Sequence, residues 1–208
     1  MSISLNIIES NRQIQKLINQ SLAVELNKKV KSNTNRVVKQ IKAMIPTWLG
    51  EQDEVLSLLA DGVPNSLNAQ FGLPIGTSSE AVAAIMVAVS ETITVEINKF
   101  DANLKGSIFF KVQPEDFTNV LSLPEGYIQT LTNNLHWLDW LVTMGGSPIV
   151  GGYEYKPAND GRSGGGIMVG GVAWQVPSQY AGTIDNNFIT RALQNREQEI
   201  TNALKGLF

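Results

Sequence analysis

From Glu9 to Ile45 the chain contains neither Pro nor Gly, and its apolar residues recur mostly at steps of three and four. Ile14, Leu17, Ile18, Leu22, Leu26, Val30, Val37, Ile41, Met44 and Ile45 predict one long helix, with Ser10 or Asn11 as its cap. Pro46 is expected to end it, because the residue before a proline is pushed out of the helical region. About 36 residues at 1.5 Å each span roughly 50 Å. That is more than a compact domain of this size needs, so the helix is expected to project or to pack on other subunits. Its middle, Lys28 to Asn35, is polar.

The later pattern alternates between helical and extended periods. Residues 47–60 predict a short helix carrying Trp48, Leu49, Val55, Leu56, Leu58 and Leu59, stopped by Asp61-Gly62 and Pro64. A loop follows to Gly76. Ala81 to Val89 reads as a buried helix starting at Ser79-Glu80, with a buried strand as the competing reading. Thr92 to Phe100 alternates as a strand, Asp101 to Asn103 is a turn, and Ser107 to Val112 is the return strand of a hairpin. Pro114 to Leu123 is a connection. Tyr127 to Met144 predicts a helix with the stripe Ile128, Leu131, Leu135, Leu138, and Leu141 or Val142, closed by Gly145-Gly146. Ile149 to Lys156 and Gly166 to Val176 predict a second antiparallel pair. A last helix begins at Thr183 or Asp185 and runs to Leu204. The order is helices, hairpin, helix, hairpin, helix. It predicts an α+β fold, an antiparallel sheet packed with helices, with residues 1–46 as an arm and 47–208 as the main domain.

Composition narrows the chemistry. With no Cys and one His among 208 residues, thiolate nucleophiles, disulfides, Cys-based zinc sites and multi-His metal sites are excluded. No run of 18 apolar residues occurs, and the first residues lack the basic-then-apolar order of a secretory signal. The expected setting is therefore the cytoplasm or an assembly built there, without a membrane. Charged residues are only 17%, and their place is taken by amides, hydroxyls and 18 glycines. A neutral polar surface of that kind suits coverage by partners. Residues 1–45 hold eight basic and two acidic side chains, a net of +6, while the remainder carries a net of −9. A basic arm of this kind suits nucleic acid, an acidic neighbour, or the acidic body of another copy. It is also what a solvated helix face looks like.

Two constellations invite a catalytic reading. Gly161-Arg162-Ser163-Gly164-Gly165-Gly166 looks like a phosphate cradle, but a P-loop needs Gly-Lys-Ser or Gly-Lys-Thr opening a helix. Here Ile167-Met168-Val169 continue as a strand, so the run is expected to be a mobile tip or a place where chains approach closely. His136 and Asp139 share a helix face at a spacing of three, which suits an acid–base pair of a small hydrolase. Neither a nucleophile nor an oxyanion site accompanies them, and a partly buried His near a Trp cluster is the plainer reading. The adjacent acids Asp53-Glu54 and Glu115-Asp116 point apart and do not converge on a metal. Trp137, Trp140, Trp174 and Phe188 are expected in the core.

The C-terminal half resembles structural proteins of tailed bacteriophages, most of all the tail-completion or neck proteins at the head-to-tail junction. The residues carrying the resemblance are Leu138-Asp139-Trp140-Leu141-Val142-Thr143-Met144-Gly145, Tyr153-Glu154-Tyr155 and Gly161 to Met168. Trp174-Gln175-Val176-Pro177 and Ala181 to Ala192 complete it. The resemblance implies a non-enzymatic, ring-forming connector subunit of the virion, without cofactor or metal. Its implied partners are identical subunits, neighbouring head-side connector and tail proteins, and nonspecific contact with packaged DNA. An adaptor, stopper or tail-terminator role is compatible with the same residues. The contacts between subunits are then expected at Arg162, Ser163, Gly164 and Gly165, and on the basic arm at Lys28, Lys29, Lys31, Arg36, Lys39 and Lys42.

In a closed ring one patch meets a different patch on the next copy. If the +6 arm and the −9 remainder are those patches, assembly weakens as salt rises. Light scattering at low and high salt reads this directly, and a mass indifferent to salt counts against charge pairing.

Overall fold

The computed structural model describes residues 9–112, 116–129 and 134–208. The fold is α+β, with a long first helix and small antiparallel sheets, each of two strands. Packing divides the chain into two compact units. The first unit comprises Met1–Ile41, Thr94–Lys111 and Gln198–Phe208, and the second Lys42–Ile93 and Val112–Glu197.

Helix α1 is Asn11–Gly50, 40 residues, so it runs through Pro46 instead of stopping there. Pro46 removes the bond to the Lys42 carbonyl and costs about 3 kcal/mol in a helix interior. Ile45, Trp48 and Leu49 flank it and are all at most 1% exposed. Burying each is worth roughly 1.5–3 kcal/mol, so their combined pull outweighs the proline. The predicted second helix therefore loses its first residues to α1 and is reduced to α2, Asp53–Leu59.

In the first unit the buried positions of α1 are Ala23, Val30, Val37 and Ile41, two turns apart and then one. Strands β1 (Thr94–Asn98) and β2 (Ser107–Lys111) form the predicted hairpin, with Thr94 opposite Lys111 and Asn98 opposite Ser107. Its turn is shaped by Asp101, whose carboxylate accepts from the amides of Asn103 (2.8 Å) and Lys105 (2.9 Å). Those bonds hold the Asp101 carboxyl below its ordinary range. Asn27 on α1 accepts from the Phe100 amide and donates to the Phe100 carbonyl, both at 2.9 Å. Asn33 and Arg36 donate to the carbonyls of Leu207 and Gly206. Phe100 meets Phe208 edge-on at 6.1 Å. The unit is thus tied by amide side chains more than by ion pairs, in keeping with its composition.

The second unit contains α3 (Leu67–Phe71), α4 (Thr77–Glu91), α5 (Thr118–Leu121), α6 (Trp137–Val142) and α7 (Phe188–Leu193). Strands β3 (Ile128–Gln129) and β4 (Asn134–Leu135) form one small antiparallel pair, β5 (Val150–Pro157) and β6 (Gly166–Trp174) a longer one. Helix α8, Glu197–Leu204, ends the helical series. Residues 77–91 form a helix, not the competing strand.

Three other expectations change. The loop expected over 64–76 contains α3, capped by the Ser66 hydroxyl accepting from the Ala69 amide at 3.1 Å and closed by Gly72 at φ 62°. The helix expected over 127–144 is α6 alone, preceded by the β3–β4 pair. Pro124–Gly126 makes a tight turn and leaves Tyr127 extended, so the helix does not start there. Leu131 of the expected stripe lies outside the described residues, as does Glu115. The last helix starts at Phe188, with Asn187 as its cap rather than Thr183 or Asp185, and breaks at Asn195, φ 60°.

The centre of this unit is aromatic. The Phe71 ring lies 5.5 Å from both Trp137 and Trp174, edge-on to the latter. Trp137, Trp174 and Phe188 are buried as expected, while Trp140 is half-buried. The Trp137 indole also donates to the Glu125 carbonyl at 3.0 Å. Phe71→Ala is expected to cost about 3–5 kcal/mol, read as a lowered denaturation midpoint with a change in tryptophan emission. An unchanged midpoint would show that the cluster is dispensable.

Candidate functional site

The residues singled out by sequence fall into three groups, and the structure treats them differently. The Gly-rich run is the first. It was expected to be a mobile tip or a place where chains approach closely, and in the structure its residues pack within their own chain. Ser163 is fully buried and donates to the Ala69 carbonyl at 3.4 Å. Gly165 and Gly166 are buried as well. A Cβ on Gly165 would lie 2.7 Å from the Ala69 Cβ and 2.8 Å from the Val63 carbonyl oxygen. Glycine is needed here because backbone meets backbone. Tyr155 locks the loop by accepting from the Asn65 amide at 2.9 Å and donating to the Gly165 carbonyl at 2.7 Å. Gly164 is half-buried beside Ile75.

Arg162 remains at the surface. Its Nε donates to the Gly72 carbonyl at 2.6 Å and an Nη to the Gln129 carbonyl at 3.2 Å. It thus joins the α3 cap to β3, and no carboxylate among the described residues forms an ion pair with it. Two clefts of about 380 and 350 Å³ adjoin it, one lined by Phe71, Trp174 and Met168, the other by Leu73, Tyr127 and Trp137. Neither holds a group of acidic or His side chains suited to a metal, and no such group of three occurs among the described residues.

The basic arm is the second group. Lys28, Lys29, Lys31, Arg36 and Lys39 are exposed, whereas Lys42 is half-buried and pairs with Glu91 at 2.9 Å. At about 100° per residue these six positions share an arc of roughly 160°, opposite Val30, Val37 and Ile41. One turn earlier the same face is apolar. Leu17, Ile18, Leu22 and Val24 are 48–64% exposed. Leu17, Ile18 and Leu22 belong to the apolar pattern that predicts the helix, and the structure leaves them uncovered. Only the burial of the opposite stripe distinguishes the two sides.

His136 and Asp139 form the third group. His136 stands at the start of α6 and stacks on Tyr127, with ring centroids 4.0 Å apart and planes 11° apart. Its Nε2 is buried with no hydrogen-bond partner among the described residues. Asp139 is bonded instead to the Thr143 hydroxyl, one turn along the helix. Among the described residues no hydrogen bond joins His136 to Asp139, and none joins His136 to a hydroxyl group.

The motif around Asn187 is structural too. Asn187 is fully buried, accepts from the amides of Ile189 and Thr190, and donates to the carbonyls of Val142 and Thr183. Glu54, 2% exposed, forms an ion pair with Arg191, which joins α2 to α7. Glu54 had no role legible among the adjacent acids, and nothing short of the fold pairs it with a residue 137 positions away.

Burial pushes the His136 pKa below its ordinary value, with Asp139 opposing in part. The neutral ring is the form the fold favours. Its contribution to stability is full above about pH 6.5 and is lost as pH falls through the lower folded value. His136→Phe keeps a ring against Tyr127 and removes the titration. The stability of the natural chain relative to this variant should fall between pH 7.5 and pH 5 in denaturant titrations, and a flat difference would contradict the depression.

No protein-family model, no curated protein and no solved structure matches the chain.

Proposed function

We propose that this protein is a structural, non-enzymatic virion protein of a tailed bacteriophage, a ring-forming subunit of the neck or head-to-tail connector of the tail-completion type. The observation that carries the reading is the outer face of α1. It presents uncovered Leu17, Ile18, Leu22 and Val24 and then, on the same side, the cations from Lys28 to Lys39. Uncovered apolar side chains in a row mark a protein-binding surface. The cationic stretch that continues it suits either the acidic body of the next copy or the phosphates of packaged DNA. The partners are identical subunits, with head-side connector and tail proteins above and below. The adaptor, stopper and terminator roles use the same surface and are the nearest alternatives.

The hydrolase reading has less support, because His136 is stacked and Asp139 is engaged by Thr143. Nonspecific DNA contact has a specific basis in the single cationic face and belongs to the same role.

Light scattering of the purified 22.7 kDa chain, alone and with purified phage heads or tails, tests the proposal. A discrete species of many subunits, or incorporation into rings with those components, is expected. Leu22→Lys should lower the assembled fraction while leaving the circular dichroism spectrum intact. A chain that stays monomeric under both conditions would refute the connector reading.

A further inference from the structure

The β5–β6 ribbon has two edges of different character. β5 carries Glu154, Lys156 and Pro157, the charges and proline that usually protect a sheet edge. β6, Gly-Ile-Met-Val-Gly-Gly-Val-Ala-Trp, has no charge over nine residues. Among the described residues its backbone pairs with β5 and, at its two ends, with the Asp160 carbonyl and the Ile149 amide, apart from the Val172 amide, which donates to the Glu154 carboxylate at 3.2 Å. Val172 is 84% exposed, and Ile167 and Met168 are 39% and 40% exposed. An uncharged strand of this length with an open edge is a template for another strand. Both of its ends are fixed, Trp174 in the aromatic cluster and Gly166 against Tyr155, so the edge is held ready.

One segment of this chain fits that edge. Residues 2–8, Ser-Ile-Ser-Leu-Asn-Ile-Ile, precede α1 and are also uncharged. Ile3, Leu5 and Ile7 alternate with Ser2, Ser4 and Asn6, the period of a strand with one apolar face. Seven residues reach about 23 Å, against about 30 Å for β6. The hairpin β1–β2 is a poorer acceptor, because its strands are five residues long and carry Glu96 and Lys111. We infer that residues 2–8 of one copy add as a third strand to the β6 edge of a neighbouring copy. The inference rests on the ring-subunit reading and says how successive subunits are linked.

The chain has no Cys, so engineered thiols report cleanly. Leu5→Cys is mixed with Met168→Cys or Val172→Cys, two positions that cover a shifted register, and oxidised. Leu5→Cys with Glu80→Cys is the control. A disulfide-linked heterodimer is expected, on the order of tenfold above the control, since the bond forms only when Cα atoms come within about 7 Å. The double variant L5C/V172C should give a ladder of linked copies. A double variant that closes only within single chains would return the segment to its own ribbon and overturn the inference. No link above control, with the unmodified protein still assembling by light scattering, would overturn it and leave the ring reading standing. No link and no assembly would remove both.

Discussion

The second unit depends on one contact, the Phe71 ring between two indoles. Phe71 belongs to a helix of five residues, too short to persist alone. It exists because Ser66 and Gly72 satisfy its ends and because all five of its residues are buried. In return it brings together Trp137 at the start of α6 and Trp174 at the end of β6. The neighbouring Ala69 and Val63 receive the other end of the ribbon through Gly165. Two-stranded sheets are marginal in water, so the ribbon owes its order to these two anchor points.

The first unit is built on a different principle. Its helix buries a narrow stripe, and its remaining ties are amide and guanidinium groups on backbone carbonyls. Such bonds contribute about 1 kcal/mol each, little beside the conformational entropy of ordering a long helix. A helix with a narrow buried stripe and uncovered leucines on its other side gains most from a further surface to pack on.

The residues that carry the resemblance to phage neck proteins do structural work. Asn187 caps α7 and ties it to the end of α6, Arg191 neutralises buried Glu54, and Gly165 and Gly166 permit close approach of backbone and ring. They describe how this half of the chain folds. The proposed role in assembly rests on exposed side chains elsewhere, on α1 and along β6.

Local periodicity was enough to reveal the long helix and the β1–β2 hairpin, because each repeats its apolar period over several residues, whereas α4 was left between helix and strand and the β5–β6 pair alternates only weakly. The single His, the absent Cys and the charge asymmetry were legible for the same reason, being properties of composition. Tertiary structure decided the rest. It carried α1 through Pro46, since burial of Ile45, Trp48 and Leu49 outweighs one lost backbone bond. It made a helix of residues 67–71, replaced the start of the 127–144 helix by a strand pair, and chose Asn187 over Thr183 as a cap. It also turned the glycine run inward, where composition alone suggested a mobile loop. For the long helix and the glycine run the deciding energy came from residues distant in sequence. A pattern read along the chain has no access to them.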